Sequence, residues 1–219
     1  MVESPEVERP AAPRRGPETR AAIDAAAIEL FAQRGYHATS MRALAAAAEI
    51  QPAAIYHWYP RKEAILVRLQ DEFMEELTER VVAAMAAEDR PALKLAAAVY
   101  EHVAYHGEHT SEAFVTDSEI RALRDSPRRA LIARRDEYQR IFGDLIRAGI
   151  EDGSLRISDV DVATYAILLQ CTGVALWFDP AGPLGLDEVA VLHVELVLGA
   201  LGADPELVAA AADPARGRG

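Results

Sequence analysis

Apolar residues recur at every third or fourth position along most of this chain, which is the spacing of helices with one buried face. The pattern starts at Glu18 and stops at Gly35, a residue suited to the end of a helix. No segment shows the regular alternation of apolar and polar positions that marks a half-buried strand. The sequence therefore predicts an all-α protein with about nine helices.

The second and third predicted helices are short. Thr39 and Ser40 offer side-chain oxygens that can cap a helix over residues 41–47. Pro52 suits the first turn of the next helix, because its missing N–H would have no partner there. We expect that helix to run from Pro52 to Trp58.

Six longer helices are predicted after Pro60. Gly107 is expected to close the second of them and Asp187 to cap the last. The helix at 159–178 has almost no polar face, so we expect it to be buried on all sides. The expected ranges are 62–87, 91–106, 110–123, 127–149, 159–178 and 187–201.

Composition excludes several classes of protein. Of the 219 residues, 51% are hydrophobic and 26% are charged, as in soluble globular proteins. The one cysteine, Cys171, excludes an internal disulfide framework and a zinc site built from several cysteines. No stretch reaches the roughly 18 uninterrupted apolar residues of a membrane span, and residues 1–10 lack the apolar core of a signal peptide. We expect a cytoplasmic protein without a membrane partner.

The net charge of −12 is unevenly distributed. Residues 9–70 hold nine Lys or Arg against five Asp or Glu, whereas residues 71–219 hold 14 against 27. A basic segment on an acidic body suggests a surface that faces a polyanion, although a run of charge is more often simply solvated.

The two short helices lie in this basic segment and carry a specific motif. It reads Ala38-Thr39-Ser40-Met41-Arg42-Ala43-Leu44-Ala45, then Ile50-Gln51-Pro52-Ala53-Ala54-Ile55-Tyr56-His57-Trp58-Tyr59, then Arg61-Lys62-Glu63. Over about residues 18–66 the chain resembles the DNA-binding domain of TetR-family transcriptional regulators, and the rest follows the helical plan of that family. The alternative is a pair of packing helices without a ligand.

The resemblance implies a helix-turn-helix head and a helical body that binds a ligand and dimerises. The corresponding ranges are a disordered arm at 1–16, a DNA-binding domain at 17–62, a ligand-binding and dimerisation domain at 63–203 and a flexible tail at 204–219.

Nine positions correspond to family residues at the DNA: Thr39, Ser40, Arg42, Gln51, Pro52, Ala53, Tyr56, His57 and Lys62. The first two offer hydroxyl groups at a helix N-terminus, which suits a phosphate. Arg42 could bind a guanine edge, Gln51 an adenine edge, and Ala53 only a thymine methyl group. Tyr56, His57 and Lys62 would hold phosphates without reading bases.

Departures from the family pattern bear on DNA recognition. Glu49 stands in the turn where the family usually has glycine, and it costs about 1 kcal/mol if the turn needs a left-handed residue. Ala54 replaces a common threonine, so the recognition helix has few hydrogen-bonding side chains. We therefore expect Arg14, Arg15 and Arg20, as a flexible arm, to supply contacts from the minor groove.

The helices at 159–178 and 187–201 are apolar on two faces, more than one subunit can cover. In the family the last two long helices form a four-helix bundle with their symmetry mates. We expect a homodimer through them, and the alternative is that they are core helices of a monomer.

The resemblance also implies a ligand pocket in the body. Its expected lining, for which core packing is the simpler interpretation, is Tyr105, Phe114, Tyr138, Phe142, Gln170 and Trp177.

The segments at 148–153 and 178–184 resemble a branch of the family that senses acyl-CoA thioesters of lipid or steroid breakdown. The helix at 159–178, however, has no Lys or Arg that could bind the phosphates of coenzyme A. A small hydrophobic effector is expected, with acyl-CoA as one candidate. The leading hypothesis is a homodimeric repressor that binds double-stranded operator DNA and is released by this effector.

Two other functions remain open. An enzyme would need a Ser/His/Asp set, a glycine-rich phosphate loop or an array of metal ligands, and the sequence shows none in a recognisable context. No cofactor and no metal are expected, because no motif completes a zinc site around His102, His106 and His109. The second alternative is a helical dimer that binds a ligand or a protein and recognises DNA only degenerately.

Overall fold

The structure is a computed structural model that describes residues 16–212. These residues form eleven α-helices, one short 3-10 turn and no strand. The prediction of an all-α protein with a helix-turn-helix head and a helical body is confirmed. The helices are α1 (Gly16–Arg34), α2 (Met41–Ala47), α3 (Ile55–Trp58), α4 (Lys62–Ala86), α5 (Pro91–Glu108), α6 (Thr110–Ser118), α7 (Asp125–Glu151), α8 (Val160–Thr172), α9 (Val174–Trp177), α10 (Leu186–Ala200) and α11 (Pro205–Ala211), with the 3-10 turn at Glu119–Ala122.

Helices α1, α2 and α3 share a small core with the start of α4. Ile23 and Phe31 of α1, Leu44 of α2, Ile55 of α3 and Ile65 of α4 are fully buried. Helices α2 and α3 have seven and four residues, too few to be stable in isolation. Packing of the core rather than helix propensity therefore holds the head together.

Helix α4 belongs to both the head and the body. Its 25 residues span about 37 Å at 1.5 Å per residue. Leu66 near its start is buried in the head, whereas Phe73 lies against Tyr105 of α5 with ring centroids 5.0 Å apart. A rigid helix of this length connects the two parts directly.

Helix α5 is the centre of the body and packs against α4, α7, α8 and α10. Gly107 lies inside α5 and is buried, so the expectation that it closes the helix is wrong. A Cβ atom on Gly107 would stand 2.2 Å from Cδ1 of Leu186 in α10. The glycine therefore leaves room for the Leu186 side chain of α10 and does not mark a helix end.

Several helix starts also differ from the prediction, and α1 and α7 each begin two residues earlier than expected, at Gly16 and Asp125. Helix α10 begins at Leu186, where the carboxylate of Glu188 accepts a hydrogen bond from the Gly185 N–H at 2.8 Å. Asp187, the expected cap, instead accepts a hydrogen bond from the Tyr100 hydroxyl at 3.0 Å. Helix α3 begins at Ile55 rather than three residues earlier, because residues 52–54 form a tight turn.

The C-terminal part of the chain has more helices than expected, and this accounts for eleven rather than nine. The predicted helix at 159–178 is interrupted at Gly173, which separates α8 from α9. Within the predicted flexible tail, residues 205–211 form α11, so the prediction is wrong there. Pro205 suits the first turn of α11, and burial of Leu207 holds that helix on the body.

The segment Val160–Trp177 is long and apolar enough to cross a membrane by length and composition, with a mean hydropathy of 1.4 over 18 residues. This is weak evidence of a membrane span, because the apolar helices of soluble proteins pass the same test. Asp161, Thr164 and Gln170 interrupt the apolar sequence.

Helices α8, α9 and α10 leave one side uncovered, contrary to the expectation that residues 159–178 are buried on all sides. Leu169, for example, is 78% exposed. We call this surface the apolar face, and it consists of Val162, Tyr165, Leu169, Leu176, Trp177, Leu192 and Leu196. Seven large apolar side chains on neighbouring helices form a patch of the kind that marks an interaction surface.

The turn between α2 and α3 contains a left-handed residue, so the condition under which Glu49 was expected to be unfavourable is met. Glu49 has a φ of 56°, the one positive φ among the non-glycine residues that the structure describes. Its N–H bonds to the Ala46 carbonyl at 3.1 Å and the following N–H, of Ile50, to the Ala45 carbonyl at 2.9 Å. A side chain in this conformation is strained by roughly 1–2 kcal/mol.

Replacing Glu49 by glycine should raise the free energy of unfolding by up to about 1 kcal/mol, because the strain of a Cβ atom at positive φ exceeds the entropy that glycine adds to the unfolded chain. Urea denaturation followed by circular dichroism measures this. Glu49→Ala, which loses the charge but keeps Cβ, should not be stabilised. Equal stability of the two variants would contradict strain at this position.

Candidate nucleic-acid interface and effector site

The first turn of α2 presents two of the predicted DNA-contacting residues. Ser40 is the N-cap of α2, and its hydroxyl oxygen accepts a hydrogen bond from the Ala43 N–H at 3.1 Å. The hydroxyl hydrogen can still be donated to an acceptor such as a phosphate. Arg42 is exposed, since Leu44 and Ala45 occupy the buried side of α2.

Helix α3 exposes further predicted contacts. Ile55 occupies its buried side, while Tyr56 and His57 are exposed, Tyr56 by 56%. The predicted contacts before the helix, which are exposed as well, are Gln51, Pro52 and Ala53. We call the combined set the reading surface, and it consists of Ser40, Arg42, Gln51, Pro52, Ala53, Tyr56 and His57.

Thr39 and Lys62 do not face outward as predicted. The buried Thr39 hydroxyl lies 3.0 Å from the carbonyl oxygen of Gly35 and 3.3 Å from that of Leu30. The Lys62 ammonium donates to the carbonyl oxygens of Tyr36 and Thr39 and lies over the Tyr36 ring. Burial lowers the pKa of Lys62. The prediction that these two side chains hold phosphates is wrong, because both polar groups close the turn between α1 and α2.

A buried carboxylate fixes α1 against the end of α3. Asp24 accepts hydrogen bonds from the Tyr59 hydroxyl and from Nε of Arg68, the latter at 3.1 Å. Nε of Arg20 donates to the Tyr59 oxygen at 3.3 Å. Burial, together with the bond to Asp24, raises the pKa of Tyr59 to about 12, so the phenol stays protonated and can donate. Arg20 is thus a structural residue of α1 and not part of a flexible arm.

Two further carboxylates join the head to the body. Glu119 of the 3-10 turn accepts a hydrogen bond from the Tyr36 N–H at 3.0 Å. Glu63, at the start of α4, accepts one from the Arg124 N–H at 2.9 Å. We call these four residues the joint. It attaches the loop before α2 and the first turn of α4 to the segment between α6 and α7.

The body contains a chain of polar side chains inside its apolar core. Nδ1 of buried His102 lies 2.8 Å from the Tyr138 hydroxyl, and Nε2 lies 3.0 Å from the Thr172 hydroxyl. The ring of His106 stacks on that of His102 with centroids 4.1 Å apart, and its Nδ1 lies 2.8 Å from the His102 carbonyl oxygen. We call these four residues the polar core. It connects α5 with α7 and α8.

The predicted pocket residues divide into two groups. Tyr138 belongs to the polar core and Tyr105 and Phe142 are buried beside it, with the rings of Tyr138 and Phe142 5.4 Å apart. The other three predicted residues are exposed, namely Phe114, Gln170 and Trp177. The prediction that these three line an internal pocket is wrong for the single chain, because α8 and α9 turn two of them to the side that carries the apolar face.

The histidines at metal-like spacing have protein partners. Both ring nitrogens of His102 lie against hydroxyl groups, and Nδ1 of His106 lies against a carbonyl oxygen. His109, which follows α5, has its Nδ1 3.8 Å from the carboxylate of Glu112. Across residues 16–212 no three potential metal ligands stand together. His102, for which the sequence favoured a surface or pocket role over metal binding, is the centre of the polar core.

The polar core predicts how stability depends on pH. Burial lowers the pKa of His102 well below its usual value, with smaller contributions from His106 and His193. Because the folded state binds this proton less readily than the unfolded state, the stabilisation is fully present above about pH 6.5 and is lost as the pH falls below it. The expected slope reaches about 1.4 kcal/mol per pH unit for this group.

Urea denaturation at pH values from 7.5 to about 5 measures this slope. His102→Gln, which keeps hydrogen bonding to both hydroxyls but cannot titrate, should flatten it, whereas the exposed His37→Gln should not. An unchanged slope in His102→Gln would exclude His102 as the source.

Comparisons with known proteins agree with this architecture. Residues 23–69 match the family described as bacterial regulatory proteins, tetR family. Residues 88–201 match the tetracyclin repressor-like, C-terminal domain family. The HTH-type transcriptional repressor KstR2 of Rhodococcus jostii (strain RHA1) is 31% identical over 181 residues, which cover 80% of this chain and 87% of that protein.

Solved structures show the same fold. The ketosteroid transcriptional regulator KstR2 of Mycobacterium tuberculosis is similar with a TM-score of 0.77 at 26% identity, covering 83% of this chain and 94% of that one. AibR in complex with isovaleryl coenzyme A and operator DNA gives a TM-score of 0.75 at 24% identity, covering 82% and 97%, and at that identity the likeness shows the fold alone. The chain belongs to the TetR family of bacterial transcriptional regulators.

Proposed function

We propose that this protein is a homodimeric repressor that binds a palindromic operator and is released by a small hydrophobic effector. The observation that carries the proposal is the exposed reading surface, in which Arg42 and Ser40 stand at the N-terminus of α2 and Tyr56 and His57 on the outer side of α3. The family of the chain is regulatory and not enzymatic. A cytoplasmic location follows from the proposed DNA partner.

Each part of the reading surface suits one kind of contact. The Arg42 guanidinium can bind O6 and N7 of a guanine, and Gln51 can bind an adenine edge. Tyr56 and His57 carry polar groups for phosphates, which set the register on the duplex. Arg14 and Arg15, the expected arm contacts, lie outside the described residues.

The apolar face supports dimerisation. A monomer would leave its seven large side chains in water, and a second copy can cover them with the same helices. We therefore propose that α8, α9 and α10 pair with their symmetry mates. Residues 17–62 then serve as the DNA-binding domain and residues 63–203 as the ligand-binding and dimerisation domain, with α4 crossing between them.

The polar core supports an effector site in the body. It offers two hydroxyl groups and an imidazole among the apolar rings of Tyr105 and Phe142, the composition of a site for an apolar ligand with one polar group. An acyl-CoA thioester carries such a group in its carbonyl, and AibR was crystallised with one. Helices α8 and α9 contain no Lys or Arg, so the phosphates of coenzyme A would have to bind elsewhere.

Release from DNA follows from a shift between two conformations. An effector that binds better to the conformation whose heads are wrongly spaced for successive major grooves lowers operator affinity. The joint supports this coupling, because Glu119 and Arg124 connect the head to the body by hydrogen bonds.

A second candidate is a ligand-binding dimer with degenerate DNA recognition. The observations that favour it are the strained Glu49 and the apolar Ala53 and Ala54, all of which lie in the segment between α2 and α3.

Fluorescence anisotropy with genomic fragments that flank the gene separates the two candidates. The repressor should bind one palindromic fragment tightly, with a steep dependence on salt. Arg42→Ala should weaken that binding by about 1–3 kcal/mol, roughly 5- to 150-fold, while Arg140→Ala on the body should not. Weak and equal binding to all fragments would favour the degenerate dimer. Acyl-CoA thioesters are then added to the complex of the protein with this operator, and they should release the protein from the DNA.

A further inference from the structure

Two exposed arginines, one from the head and one from the body, meet at a single buried carboxylate. Oε2 of Glu63 lies 3.1 Å from Nε of Arg61 and 3.5 Å from Nε of Arg124. The Glu63 side chain is only 8% exposed, whereas the two arginine side chains are 60% and 74% exposed. We call these two arginines and Lys62 the basic corner.

The carboxylate attracts both guanidinium groups without occupying their donors. Although Oε2 of Glu63 is this close to both, it has no partner with hydrogen-bond geometry. Each guanidinium carries five N–H donors. Most of them therefore point to solvent and are available to an external acceptor.

The three cations of the basic corner outnumber the two carboxylates beside them, while Asp71, Glu72 and Glu75 line the groove that extends from Arg61 along α4. Arg61, Lys62 and Arg124 contribute three positive charges, and Glu63 and Glu119 contribute two negative ones. Asp125, the next residue along the chain, is 3.7 Å from Arg128 and belongs to that pair. The two exposed guanidinium groups of Arg61 and Arg124 favour an anionic partner with several oxygen acceptors.

The basic corner is adjacent to the reading surface. The Lys62 ammonium bonds to the carbonyl oxygen of Thr39 at 2.6 Å, and Ser40, the N-cap of α2, is the next residue. Arg124 is held beside Lys62 because its backbone N–H bonds to Glu63. The segment that carries Arg124 is therefore attached to the head both at the start of α4 and, through Glu119 and Tyr36, at the loop that leads into α2.

From this placement we infer that the body contributes directly to DNA binding, through Arg124, which with Arg61 binds a backbone phosphate beside the half-site. The inference rests on the proposed function, since the anion is the DNA that the reading surface binds. The body then supplies a contact that carries no sequence information but adds to affinity and to its salt dependence.

The test uses the full-length protein and a fluorescein-labelled 30-base-pair duplex of arbitrary sequence, since a phosphate contact does not require the operator. Anisotropy is measured at several NaCl concentrations. Each phosphate contact contributes about 0.9 to the slope of log K against log salt, so Arg124→Ala should reduce the slope by about 1.8 in a dimer. The backbone bond to Glu63 survives this substitution, and the joint stays intact.

Three variants separate charge from structure. Arg124→Lys should restore most of the slope. Arg140→Ala removes the same charge 16 residues along α7, about 24 Å away, and should leave the slope unchanged. Glu63→Gln keeps the acceptor for the Arg124 N–H but removes the carboxylate charge, so it should bind DNA more tightly, whereas damage to the fold would weaken binding.

The outcomes separate this inference from the proposed function. Salt-dependent binding by the wild-type protein with an unchanged slope in Arg124→Ala would overturn the role of Arg124 and leave the repressor proposal standing. Weaker binding by a Glu63→Gln variant whose helix content and thermal stability match the wild type would also count against the basic corner. Absence of binding by the wild-type protein at low salt would overturn both.

Discussion

Burial of apolar side chains is the main favourable contribution to folding, and helices α8, α9 and α10 leave seven large ones in water. Full burial of one such side chain is worth about 1.5–3 kcal/mol, so covering the apolar face would supply a large part of the free energy of a stable complex. The apolar face is buried most simply if a second copy of the chain packs on it. In that arrangement two heads come under the control of one interface.

The proposed control of the heads by the body would also require that the head cannot move freely. Helix α4 runs from the head core into the body, and the joint adds hydrogen bonds from Glu119 to Tyr36 and from Glu63 to Arg124. The polar core in turn ties α5 to α7 and α8, which carries part of the apolar face. A change in the body therefore has a continuous packed route to the α2 and α3 surface.

Local signals predicted most of the helices and the motif, but not contacts between distant residues. Gly35 and Glu49 could be interpreted from their neighbours, because helix ends and left-handed turns depend on local backbone geometry. The roles of Gly107 and Lys62 could not be interpreted in this way. Gly107 contacts Leu186 of α10, 79 residues further along the chain, and Lys62 bonds to the carbonyl groups of a preceding turn. The exposure of Gln170 had no sequence signal, because the polarity of one residue does not show which side of a helix is covered.

The most direct test of the central claim is sedimentation velocity of the wild-type protein and of Leu169→Glu, which places a charge in the apolar face. The wild-type protein should sediment as a dimer and Leu169→Glu as a folded monomer with unchanged helix content. Val82→Glu, a matched change at an exposed apolar residue of α4, should stay dimeric. A monomeric wild-type protein, or a Leu169→Glu dimer as stable as the wild type, would contradict dimerisation through the apolar face.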